Sequence, residues 1–149
     1  MLFKKAYLYF WITAVLILIT GFFIYDKELK TVININDTYY VFVNRKLTIY
    51  LTAFYLFIGF TYWLYEKLHY SLNTFLTFLH ALLMCGGFLA YNIILWFDNK
   101  PKTLPVFKNI PDFSAHQDMN IYFISFFIIM FAIQPFYLLN LITGGFKKK

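Results

Sequence analysis

Residues 72–97 read LNTFLTFLHALLMCGGFLAYNIILWF, a run without a single aspartate, glutamate, lysine or arginine. A helix rises about 1.5 Å per residue, so this run is long enough to cross the roughly 30 Å hydrocarbon layer of a bilayer. Three more runs share its character: Ala6–Tyr25, Leu47–Tyr65 and Met119–Gly145. Of the 149 residues, 61% are hydrophobic and only 13% charged, a balance too apolar for a water-soluble domain of this length. The expected fold is therefore all-α: one integral membrane domain over residues 1–149, a four-transmembrane-helix bundle with spans at about 6–25, 47–65, 72–97 and 119–145.

Four spans put both termini on one side. Lys4 and Lys5 abut the first span, Lys67 follows the second, and Lys147, Lys148 and Lys149 follow the last. Basic residues this close to span ends mark the cytoplasmic side, so we expect both termini there, in a bacterial inner membrane. The opposite side carries Lys27, Lys30, Arg45, Lys46, Lys100, Lys102 and Lys108, interleaved with Asp26, Glu28, Asp37, Asp98, Asp112 and Asp118. Such a mixture is unlike the basic stripe of a nucleic-acid surface, so no nucleic-acid partner is expected. The first apolar run is longer than a signal-peptide core and Ile24-Tyr25-Asp26 offers no small-residue cleavage site, which predicts an uncleaved anchor.

The connection Glu66–Ser71 suits only a tight helical hairpin, making spans two and three antiparallel neighbours. Both outer connections are long. Asp26–Lys46 holds the β-prone run Thr31-Val32-Ile33-Asn34-Ile35-Asn36, and Asp98–Asp118 is interrupted by Pro101, Pro105 and Pro111. Tyr7, Tyr9, Trp11, Tyr62, Trp63, Tyr65 and Trp96 sit near span ends, where aromatic rings anchor helices at the interface. Gln134-Pro135 predicts a kink, and Gly86-Gly87 a close helix approach.

Few residues are equipped for chemistry. Cys85 is the sole cysteine, so an intrachain disulfide is excluded. His80 lies roughly 12 Å into the third span, where it suits either of two roles: a haem ligand, or an imidazole bonded to a neighbouring helix. His69 falls in the short hairpin and His116 in the second outer connection. Asp37 with Asn36 supplies oxygen donors for a hard cation such as magnesium, or an Asx-type turn at the start of a helix. Asn73, Asn92, Asn120 and Asn140 are expected to hydrogen-bond between helices. No Gly-rich phosphate loop, nucleophilic triad or carboxylate pair is present, and the spans hold no charged residue for a transporter's charge relay.

The segment Asn36-Asp37-Thr38-Tyr39-Tyr40-Val41 resembles the His-Asp-Thr-Tyr-Tyr-Val segment of the haem-copper oxidase catalytic subunit. Gly59-Phe60-Thr61-Tyr62-Trp63 is similar to that family's Gly-Phe-Tyr-Tyr-Trp. Leu72-Asn73, with His80 seven residues on from Asn73, resembles its Leu-Asn-Glu-Thr-x-x-x-Ile-His. Lys108-Asn109-Ile110-Pro111-Asp112-Phe113 resembles the Arg-Arg-Ile-Pro-Asp-Tyr loop that grips haem propionates. Asn120 and Thr20-Gly21 match further landmarks. The likeness covers nearly the whole chain and corresponds to the last four helices of that family, with the outer loops on the side that the charges also assign.

The departures remove the chemistry. Where the family has its two haem-binding histidines this chain has Asn44 and Lys46, its propionate arginines are Lys108 and Asn109, and the histidine of its magnesium site is Asn36. The resemblance thus implies a retained scaffold without oxygen reduction, and we expect no enzyme. The expected role is an accessory or assembly subunit of a respiratory complex, with membrane lipids and other integral membrane subunits as partners, among them a terminal oxidase or supercomplex. Two alternatives stand beside it: a small haem-b or electron-transfer protein using His80, and a scaffold subunit of a secretion or motility machine.

Overall fold

A computed structural model describes residues 5–24, 30–35, 38–98 and 124–146. Its elements run α1 (Ala6–Ile19), a π-helical turn (Thr20–Ile24), β1 (Lys30–Ile35), β2 (Thr38–Val43), α2 (Asn44–Lys67), α3 (Thr74–Ala81), a second π-helical turn (Leu82–Gly86), α4 (Gly87–Asp98), α5 (residues 124–132) and α6 (Gln134–Gly145). Four stretches are long and apolar enough to cross a membrane: Ala6–Phe23, Arg45–Lys67, Thr74–Ile94 and Ile124–Gly145. These overlap the four expected spans with shifted bounds: the third, expected from Leu72, begins at Thr74, with Asn73 as its cap. The second begins at Asn44 rather than Leu47, because the backbone ladder continues outward past the apolar run and takes Arg45 and Lys46 into its first turn. The fourth is described from residue 124, so 119–123 lie outside the described residues.

The connection between α1 and α2 adds a β-hairpin to the helical bundle. β1 and β2 pair antiparallel, from Lys30 opposite Val43 to Ile35 opposite Thr38. The β-branched and aromatic residues Thr31, Val32, Ile33, Tyr39, Tyr40 and Val41 favour this extended pairing. Asp37, expected at a helix start from its capping chemistry, lies outside the described residues; strand β2 follows it, and Val43, with no side-chain bond, precedes the first turn of α2.

In each span the buried residues recur at alternating intervals of four and three. The stripes are Ala6-Phe10-Thr13-Ile17 in α1, Thr48-Thr52-Tyr55-Tyr62 with Gly59 in α2, Thr77-Ala81-Met84-Phe88 across α3 and α4, and Phe126-Met130-Ile133-Tyr137-Asn140-Gly144 in the last span. That spacing is the seam of shallowly crossing helices. The stripes mix aromatic and aliphatic side chains with alanine, glycine, threonine and asparagine, and His80 lies beside them, while leucine, isoleucine and phenylalanine dominate the opposite faces. Lipid is as apolar as a leucine side chain, so close packing and hydrogen bonding bring these helices together, where in water hydrophobic contrast would.

α1 packs chiefly on α2, and α3 on both α6 and α1. Gly21 and Gly59 let the first pair approach closely. A Cβ on Gly21 would stand 2.7 Å from the Thr48 Cβ, and one on Gly59 2.5 Å from the Trp11 ring. Gly144 plays this part where α6 meets the α2–α3 connection, a Cβ there falling 2.6 Å from Leu72. The expected close approach at Gly86-Gly87 is not found. Gly86 closes the second π turn, and Gly87 has only ordinary contact with Phe126.

Leu68–Asn73 turns the chain tightly between α2 and α3. Tyr70 N–H donates to the Tyr65 carbonyl at 3.0 Å and His69 N–H to that of Glu66 at 3.1 Å, while the Tyr65 and Tyr70 rings meet at 5.4 Å. This is the bonding pattern of a Schellman cap, with its usual apolar contact. The left-handed position, normally glycine, is taken by His69 at φ 58°. His69→Gly should therefore raise stability by about 1 kcal/mol, measured as a shift of the unfolding midpoint in mixed micelles. On the far side of the turn Asn73 caps α3, its Oδ1 accepting from the N–H groups of Phe75 and Leu76. The last span is interrupted at Ile133, just before Gln134-Pro135, where a kink is expected from proline's missing N–H.

Candidate functional site

Three of the buried polar side chains, Thr77, His80 and Asn140, gather where α2, α3 and α6 converge on α1. His80 is 0% exposed. Its ring stacks on Tyr137 at 4.7 Å and 19°, with Phe10 at 5.2 Å and Tyr62 at 5.8 Å. Its Nδ1 is bonded to the Tyr62 hydroxyl at 2.9 Å, and its Nε2 has no hydrogen-bond partner. Beside this cluster Tyr137 bonds through its hydroxyl to Thr61, which also donates to the Ile58 carbonyl of its own helix. Each of the three inner spans thus places an aromatic or imidazole ring in one stack, with Phe10 of α1 against it.

Toward the α2–α3 turn lies a second group. Asn140, 0% exposed, accepts from the Asn73 backbone N–H at 2.8 Å and donates through Nδ2 to the Thr77 hydroxyl at 2.8 Å. Thr77 in turn donates to the Asn73 carbonyl. Asn140 thereby joins α6 to the first turn of α3, as expected of an interhelical asparagine. Asn73 differs from that expectation: its backbone bonds across helices while its side chain caps its own. Asn92 Nδ2 bonds within its helix, to the Phe88 carbonyl, and Asn120 is outside the described residues.

Higher in the bundle the second π turn is met by polar groups from two neighbours. Tyr55 donates to the Met84 carbonyl at 2.9 Å. Gln134 Nε2 reaches the Met84 sulfur at 3.5 Å and the Met130 carbonyl at 2.7 Å, beside the helix break. The Thr52 hydroxyl is buried without a partner. Removing it should release an uncompensated desolvation cost, so Thr52→Val is expected to be neutral to about 1 kcal/mol stabilising in a detergent unfolding titration.

Of the candidate ligands singled out by sequence, His80 alone among the described residues stands in this cluster. His69 is exposed and serves the turn, so the fold does not bring it to His80. Asp37, Asn36, His116, the residues 108–113 and Asn120 are outside the described residues, while Lys46 is exposed in the first turn of α2. Among the described residues no group of three histidine, cysteine, aspartate or glutamate side chains converges. Iron or another metal at His80 would have to use Nε2, the nitrogen left bare. Phe10, Tyr62 and Tyr137 enclose the ring, so a macrocycle there would require these rings to part.

Tyr62 corrects an expectation. Its place near the span end predicts the interfacial belt with Trp63 and Tyr65, but it is 2% exposed and belongs to the His80 stack. The signal for it was the interval from Tyr55 to Tyr62, two helical turns on one face. Tyr137 and Asn140 carry the same signal, one turn apart. No family model, curated protein or solved structure matches the chain.

Proposed function

We propose that this protein is a non-catalytic integral membrane subunit that works by packing against other membrane proteins, as an accessory or assembly subunit of a respiratory complex. One observation carries the scaffold part of this reading: the buried polar side chains His80, Thr77 and Asn140 bond between the protein's own helices, and the outward faces are predominantly apolar. A transporter or channel would keep polar side chains along a path, whereas a scaffold needs a fixed bundle and a broad apolar exterior. The respiratory part rests on the order of the motifs from Thr20-Gly21 to Asn120, and on the loss of the haem-ligand positions at Asn44 and Lys46. We infer further that both termini face the cytoplasm of a bacterial inner membrane.

Crosslinking in native membranes followed by mass spectrometry tests the proposal. Respiratory subunits joined through this chain are the expected result. Crosslinks confined to secretion or motility components would replace it with the scaffold alternative.

The bare Nε2 of His80 favours a second reading, a haem-b or electron-transfer protein with iron on that nitrogen. Under this reading purified protein has a Soret band that His80→Ala abolishes. Protein expressed with ample haem and showing no such band would end it.

A further inference from the structure

The ends of the bundle differ sharply in charge. The start of α1, the α2–α3 turn and the end of α6 lie together: a Cβ on Gly59 would touch Trp11, one on Gly145 would lie 3.7 Å from the Tyr65 hydroxyl, and one on Gly144 would meet Ser71 and Leu72. By chain order this end carries Lys4, Lys5, Lys67, Lys147, Lys148 and Lys149 against one acidic residue, Glu66. The other end has seven basic residues against six acidic ones. Nearly all of the net charge of +6 is therefore concentrated at one end.

Aromatic rings ring the same end at the level expected of a headgroup interface. Lys67 holds its Nζ 5.0 Å above the centre of the Trp63 ring, and Tyr7 meets Trp11 edge-on at 5.1 Å. Lysines beyond such rings can reach phosphate oxygens while their alkyl stems stay on apolar surface. Clusters of four to eight basic residues beside a span attract anionic lipid, and the attraction falls off within a Debye length.

We propose that this end of the bundle is a binding surface for the headgroups of anionic phospholipids, with Lys67 and the lysines next to α1 and α6 as the recognising groups. The surface follows from the chain's lying in a bilayer and is independent of which protein it partners.

The test uses the full chain in bilayers of phosphatidylcholine with a fraction of phosphatidylglycerol, one lipid at a time carrying bromine as a quencher of tryptophan fluorescence. In a Trp11→Phe, Trp96→Phe protein, Trp63 is the reporter. Phosphatidylglycerol should occupy the positions beside Trp63 roughly two- to fivefold in preference to phosphatidylcholine, the range expected for a few lysines at the surface. The preference should fall toward one in high salt, and also when Lys67, Lys147, Lys148 and Lys149 are changed to glutamine. The same comparison on the unsubstituted protein guards against a folding defect in the reporter. Equal quenching by the two lipids, or a preference that survives both salt and charge removal, overturns the proposal. Failure to insert into either bilayer overturns the membrane reading itself.

Discussion

Replacing Gly21 by alanine is expected to drive α1 and α2 apart and to lower stability by about 2–3 kcal/mol, the range of an overpacked interface with little room to relax. The new Cβ would lie 2.7 Å from the Thr48 Cβ, an atom fixed by the backbone, so no side-chain rotation relieves the clash. Gly59→Ala offers an informative contrast. There the obstacle is the half-buried Trp11 ring, which can swing aside, and the loss should be smaller. Thr48→Gly in the Gly21→Ala background should recover part of the loss, whereas Thr48→Ala keeps the offending atom and should recover less. Detergent-induced unfolding followed by circular dichroism measures all four. An unchanged Gly21→Ala midpoint would mean that α1 and α2 do not meet at this point.

Asn140→Leu should cost about 1–3 kcal/mol, near the upper end for a polar residue in a membrane bundle, because one side chain makes two interhelical bonds. Its loss strands the Asn73 N–H at the start of α3 and the Thr77 hydroxyl, though Thr77 keeps its bond to the Asn73 carbonyl. A Thr77→Val, Asn140→Leu pair should therefore cost less than the sum of the two single changes. Strict additivity would show that the two side chains do not interact. Asn140→Asp makes a useful companion, since it retains the acceptor for Asn73 but adds a charge to a site with no exposure, and it should be worse than leucine.

The spans were legible because uncharged runs of this length have few other uses, and their count, order and approximate bounds all follow from that. Which face of each span is buried was harder to read, since hydrophobic contrast vanishes when the surroundings are also apolar. The legible trace is the inverse of the usual one: Thr48, Thr52, Gly59, Thr77, His80 and Asn140 mark the inner seam by being small or polar. His80 was visible on this ground, and Asn140 too. Tyr62 reads as an interfacial anchor from sequence because its distance from the span end satisfies that role equally well. The left-handed turn at His69 left no trace, because the residue that would announce it, glycine, is absent. The strand Thr38–Val43 was hidden by its neighbour, for the aromatic and β-branched residues that pair it to β1 also suit the approach to an apolar helix.

The π-helical turn at Leu82–Gly86 has a bearing on how chain length can vary. Such a turn absorbs one residue more than an α-helical turn while keeping the faces on either side in register. Loss of one residue between Leu82 and Gly86 would turn the π turn into an α-helical one and keep His80 and Phe88 on their faces. A deletion elsewhere in the same span would rotate everything beyond it by about 100° and turn the seam toward lipid. Length changes in this span should thus be confined to that one turn, and a version of the chain lacking it would shift the Met84 carbonyl that Tyr55 now holds.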